Sequence, residues 1–203
     1  MTEPARESVG ERIGAWIAGI GAALGLGGLA VFGATQGQRP IVPNGPYQER
    51  SNAYARVTVH APGRAAALLT QTPTPLDAVG ATIRELARAR GTAPGPQREI
   101  RVLLLDDAHW STWAVQRYGV RDGARAAMRA TRQMVGAGMP CLLVHVERDG
   151  VLVPWSEVLA LVVHETLHVL TGERGHVDPT LWTEAGGAAS VESRAHQRVM
   201  EGR

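Results

Sequence analysis

Between Ile13 and Ala34 the chain carries no charged residue, and a run of about twenty such residues crosses a hydrocarbon core about 30 Å thick when it is helical. The run is apolar around its whole circumference and is followed by a Pro/Gly-rich stretch, which favours one membrane span over a buried soluble helix. Trp16 suits an interfacial position, and Gly21 and Gly25 form one G-x-x-x-G that would allow a weak homodimer through the anchor. A cleaved signal peptide is the alternative. The length of the run and the bulky Phe32 just before Ala34 speak for an uncleaved anchor. Arg6 and Arg12 on one side are balanced by Arg39 and Arg50 on the other. An extracytoplasmic location of the large domain therefore rests on the usual arrangement of signal anchors.

Beyond the anchor, Pro40, Pro43, Gly45 and Pro46 read as an extended linker. The pattern then changes to that of a folded domain. Tyr54–His60 alternates and is β-branched, which predicts a strand. Leu76, Val79, Ile83 and Leu86 recur on one helical face after Pro75, and the continuous apolar run from Ile100 to Leu105 predicts a central strand. Ala108–Val135 reads as one or two helices interrupted near Gly119 and Gly123. Leu142–Val146 returns to strand, and Asp149-Gly150 predicts a tight hairpin into Val151–Val153. Ser156 would cap a helix that stops at Gly172, and Asp178-Pro179 would open the last helix. The expected organisation is a tail (1–12), a transmembrane anchor (13–34), a linker (35–52) and one α+β domain (53–203), a size that supports a single core.

Composition narrows the function classes. All 21 basic residues are Arg against 19 acidic ones, so a pI near 9.2 coexists with a net charge of +2. The arginines are spread among Asp and Glu rather than gathered with aromatics into a phosphate-binding stripe, which argues against nucleic acid as a partner. The single Cys141 excludes an intrachain disulfide and, within Cys-Leu-Leu-Val, reads as a small buried hydrophobe.

The chemistry is concentrated in His164-Glu-Thr-Leu-His168. The two histidines lie one helical turn apart and can converge on one ion, while Glu165 is turned by roughly 100° and stays unligated. That arrangement suits metal-assisted hydrolysis, in which two neutral imidazoles hold zinc and the carboxylate takes a proton from a zinc-activated water. The motif sits in the otherwise apolar helix Val158–Leu170, where two imidazoles and a carboxylate without partners would cost several kcal/mol. A zinc site needs a third protein ligand, and His176, Asp178, Glu184 and Glu192 follow downstream. Glu184, sixteen residues after His168 and flanked by small residues, is the preferred ligand, and His176 is its rival.

These residues resemble those of the gluzincins, and among them the small minigluzincin-like peptidases that often carry an N-terminal anchor. In that family H-E-x-x-H is followed by a W-x-x-E-G-x-A type helix whose Glu is the third ligand, and Trp182, Glu184, Gly186 and Ala188 resemble that pattern. Ala185 replaces a usual Gly, and Trp182 stands one residue nearer the Glu. The metzincin pattern fits less well, since Thr171 replaces its Gly and His176 comes two positions late. A peptide deformylase would place its Cys ligand in a context unlike that of Cys141. The resemblance implies a zincin-like mixed sheet packed on the active-site helix, with Leu142–Val146 or its hairpin partner as an edge that binds extended peptide. It also implies a transition-state donor, for which His176, His196 and Tyr118 are candidates. The expected function is that of a membrane-anchored zinc endopeptidase, with a non-catalytic binding or assembly module of the same fold as the alternative.

Overall fold

In the computed structural model, which describes residues 42–121, 123–129 and 140–202, the apolar run ending at Leu105 occupies the centre of a five-stranded sheet. In chain order the strands are β1 (Tyr47–Ser51), β2 (Ala55–His60), β3 (Arg98–Leu105), β4 (Ala126–Arg129) and β5 (Cys141–His145), arranged β1-β2-β3-β5-β4. β2, β3 and β5 are parallel, and the outer strands β1 and β4 are antiparallel to their neighbours, so the sheet is mixed. Successive residues of β3 serve opposite cores. Val102 and Leu104 join the cluster that faces the main helices, whereas Leu103 and Leu105 pack with Trp110, Ala114, Cys141 and Leu143 on the other side. Burial on both faces explains why the strand reads as a continuous apolar run.

The first face is covered by three helices, α1 (Pro75–Ala89), α2 (Trp155–Thr171) and α3 (Val191–Met200). Thr74 and Asp77 form a reciprocal capping box at the start of α1, and Pro75 occupies its first position. The predicted stripe Leu76, Val79, Ile83 and Leu86 is buried. Inside this packing Glu85 is 2% exposed. Its carboxylate pairs with Arg88 and with Arg194 and Arg198 of α3, the latter two at 3.3 and 3.4 Å.

Several elements differ from the sequence-based expectation, each for a local reason. The segment read as linker contributes β1, whose exposed polar residues carry little hydrophobic pattern and which is fixed by pairing with β2. Among the described residues the helical reading of Ala108–Val135 is met at its beginning, where a turn at Asp107–His109 continues as a π-helix, Trp110–Arg117, and positions 130–135 lie outside the described residues. After Gly119, which has a φ of 60°, the chain turns and Ala126–Arg129 becomes a strand. Pairing with β5 overrides the helix preference of this Ala-rich stretch. β5 is therefore interior, and among the described residues β4 rather than Leu142–Val146 forms the sheet edge; it contacts α2. The hairpin partner is a separate two-stranded ribbon, β6 (Glu147–Arg148) with β7 (Val151–Leu152), turned by Asp149 and Gly150 at φ of 50° and 76°.

Helix α2 starts at Trp155, with Pro154 rather than Ser156 at its cap position, and stops at the left-handed Gly172. Asp178 does not open the last helix; its carboxylate binds the N–H and hydroxyl of Thr180 at 2.8 and 2.7 Å and closes a local turn. A single helical turn follows at Thr183–Gly186, and α3 begins only after Ser190, whose hydroxyl accepts from Ser193 N–H at 3.1 Å. The turn ends at Gly187, which has a φ of 58°, and the Pro179 carbonyl oxygen lies where a Cβ on Gly186 would be, 1.7 Å away.

The proposed anchor at 13–34 lies outside the described residues, and no described helix is long and apolar enough to cross a membrane.

Burial alone would raise the Glu85 carboxyl, but hydrogen bonds and charge from Arg88 and Arg194 outweigh it and hold the group below its ordinary value of 4.5. A carboxyl depressed in the folded state stabilises the fold above its unfolded pKa, and that stability is lost as pH falls through the folded value. Urea titrations from pH 6 downward should therefore show the wild type losing stability below about pH 4.5, while Glu85→Gln is less stable at pH 6 and responds less to acid.

Candidate metal centre

Two imidazoles are delivered by the periodicity of α2. His164 and His168 are one turn apart, and their Nε2 atoms lie 3.2 Å from each other. The third comes from the loop that follows. Gly172, at a φ of 74°, donates its N–H to the His168 carbonyl at 2.9 Å and turns the chain back on the helix end. His176 then returns over the helix, with its Nε2 at 3.1 Å from that of His168. One ligand atom from each of His164, His168 and His176 falls within 4.8 Å of the others, so the three form a site that can hold a metal ion. Tetrahedral zinc with bonds of about 2.0–2.1 Å would set its ligand nitrogens about 3.3 Å apart.

The outer nitrogens explain why this grouping fits a cation. His164 Nδ1 lies 2.7 Å from Glu192 Oε1, His168 Nδ1 lies 2.6 Å from the Glu173 carbonyl oxygen, and His176 Nδ1 lies 3.0 Å from Glu184 Oε2. An ionised carboxylate or a carbonyl can only accept, so this network assigns the ring proton to Nδ1 in all three. A neutral ring with its proton there presents a bare lone pair at Nε2. Lone pairs facing each other at 3.1–3.2 Å repel unless a proton or a metal ion lies between them, and outer partners of this kind accompany ligating histidines.

The two rings on α2 are shifted in opposite directions. Burial works to lower the pKa of His164, but the hydrogen bond and charge of Glu192, with the charges of Glu165 and Glu184, outweigh it and raise it. His168 moves the other way, lowered by burial and by the charges of His164 and His176 against the Glu173 carbonyl. Glu192 is desolvated, yet its bonds from His164 and from Thr183 N–H hold it down to about 2. Its second oxygen accepts that N–H at 2.7 Å, so Glu192 ties α3 to the loop as well as to His164.

Compared with protein-family models, curated proteins and solved structures, the chain matches none. Its functional reading therefore depends on the geometry of the site.

Each candidate residue now has a position. Glu165 is 6% exposed beside the cluster, near enough for its charge to act on His164. Glu184, the ligand preferred from sequence, has a side chain 74% exposed and stands behind His176 as its hydrogen-bond partner; His176, the rival, supplies the third nitrogen. Asp178 is engaged by Thr180, and Glu192 orients His164. His196 bonds the Ser156 carbonyl at 3.1 Å, and Tyr118 packs in the core on the opposite face of the sheet. The Glu173 contribution had no sequence signal because it is a backbone carbonyl.

The geometry ranks the donors. His164→Ala, His168→Ala and His176→Ala should each abolish stoichiometric metal in elemental analysis of the purified protein. Glu184→Ala and Glu192→Ala should retain metal with an affinity reduced about 10- to 100-fold, measured by chelator competition. Complete loss in Glu184→Ala together with retention in His176→Ala would transfer the ligand role to the carboxylate.

Proposed function

We propose that the protein is a zinc-dependent endopeptidase in which His164, His168 and His176 hold the metal and Glu165 is the general base. The observation that carries this reading is the approach of two Nε2 atoms to that of His168, His164 at 3.2 Å and His176 at 3.1 Å, each on a ring whose other nitrogen is committed to an acceptor. When bound there, zinc supplies a Lewis acid for a substrate carbonyl and lowers the pKa of water toward neutrality. Three neutral donors leave the charge of the ion undiminished, which suits that task better than a set containing a carboxylate.

Glu165 follows His164 directly and so projects from a neighbouring face of α2. Its carboxylate would accept the proton of the attacking water and deliver it to the departing amine, atoms that a zinc-binding scaffold alone would not need to serve. The outer edge of β4, beside α2, offers backbone groups on which an extended peptide could align by strand addition. The apolar run at 13–34 would tether the domain to a membrane, on its extracytoplasmic side. A binding or assembly module that keeps the metal without catalysis is the competing reading.

One variant separates the two. Glu165→Gln should retain wild-type zinc content while hydrolysis of a broad peptide library falls about 10²- to 10⁴-fold. Equal cleavage by variant and wild type removes Glu165 from the mechanism. A zinc-loaded wild type that cleaves no peptide supports the binding module.

A further inference from the structure

Beneath the three imidazoles lies one large side chain that the proposed chemistry does not use. Trp182 is fully buried, at 0% exposure. Its ring centroid is 4.4 Å from that of His168, 4.7 Å from that of His176 and 5.3 Å from that of His164, with tilts of 38°, 42° and 57°. One indole thus touches every ring of the triad at aromatic packing distances. Its Nε1–H donates to Glu173 Oε2 at 2.9 Å. Glu173 is the residue whose carbonyl accepts from His168 Nδ1, so its backbone aligns a ligand while its carboxylate aligns the indole. The next residue, Thr183, gives its N–H to Glu192, the carboxylate that orients His164. The indole and the outer hydrogen bonds therefore form one connected frame.

Resting on the reading of the triad as a metal site, we propose that Trp182 is a positioning residue for that site: its indole is the floor that holds the three imidazoles in register before the ion arrives, and the Glu173 carboxylate locks the floor in place. Two physical effects support the role. Rings packed on a rigid plane lose rotamer freedom when the protein folds rather than when metal binds, which strengthens binding by preorganisation. Imidazoles also acquire positive character on coordinating a cation, and an aromatic ring of negative quadrupole stabilises that charge. Trp182 is itself held by packing with Leu86, Leu167, Leu181 and Val191.

The test uses the full chain with Zn²⁺ and Co²⁺ as probes. Trp182→Phe keeps an aromatic ring but removes the N–H and part of the plane, and Glu173→Ala removes the acceptor while leaving the backbone carbonyl on His168. The expected result is a roughly 10- to 100-fold loss of zinc affinity in Trp182→Phe and a smaller loss in Glu173→Ala. Both should show an altered visible absorption spectrum of the Co²⁺-loaded protein, which reports coordination geometry. Wild-type zinc affinity and an unchanged Co²⁺ spectrum in both variants, with only metal-free stability reduced, would reduce the indole to ordinary core packing and overturn the proposal. Should Trp182→Phe fail to fold, Glu173→Ala decides by the same two measurements. Wild-type protein that binds neither ion would instead defeat the metal-site reading itself.

Discussion

The unshared electron pairs of His164 and His176 face that of His168 at 3.2 and 3.1 Å and repel it, and the architecture from α2 to α3 is arranged to hold them there. The histidines' outer nitrogens are bound to Glu192, to the Glu173 carbonyl and to Glu184, so none of the rings can turn away without giving up a hydrogen bond. Frustration of this kind persists in a fold only where something else relieves it. A cation at the meeting point turns that repulsion into attraction. Metal binding and folding of this segment should on that account be thermodynamically linked.

The sheet and helices serve this arrangement from a distance. β3 is packed on both faces and α2 lies against β5 and β4, while the largely buried α1 and the ion pairs of Glu85 fix α3 beside it. α3 carries Glu192 and α2 carries His164, so the hydrogen bond between these residues reports directly on helix–helix packing. Exact placement of a ligand ring is in this sense a property of the apolar core.

How much of this was legible in the sequence follows from the range over which each signal acts. His164 and His168 were legible because a helix converts a spacing of four into proximity, and the buried stripe of α1 and the central position of β3 were legible for the same reason of regular period. The third donor was not. His176 and Glu184 both lie beyond the left-handed Gly172, where no periodicity projects a side chain, and the two turned out to be bonded to each other. Sequence reasoning named both residues, and the structure groups His176 with the two rings of α2 while Glu184 stands at its outer nitrogen. β4 was hidden because its Ala-rich residues favour a helix locally and become a strand only through a distant partner. The start of α3 was hidden because Asp178-Pro179 has the chemistry of a helix opening but is used in a turn.

The left-handed glycine that ends α2 has a further consequence for how such a chain can vary. Gly172 stops the helix directly before the residue whose carbonyl seats His168, and the carboxylate of that residue reaches Trp182. The stretch from 168 to 182 is consequently measured at three points along its length, like a strap buckled in more than one hole. Insertions or deletions there would break the measure. Homologous chains should therefore keep the spacing between His168 and Trp182 while connections without such fixed points drift in length.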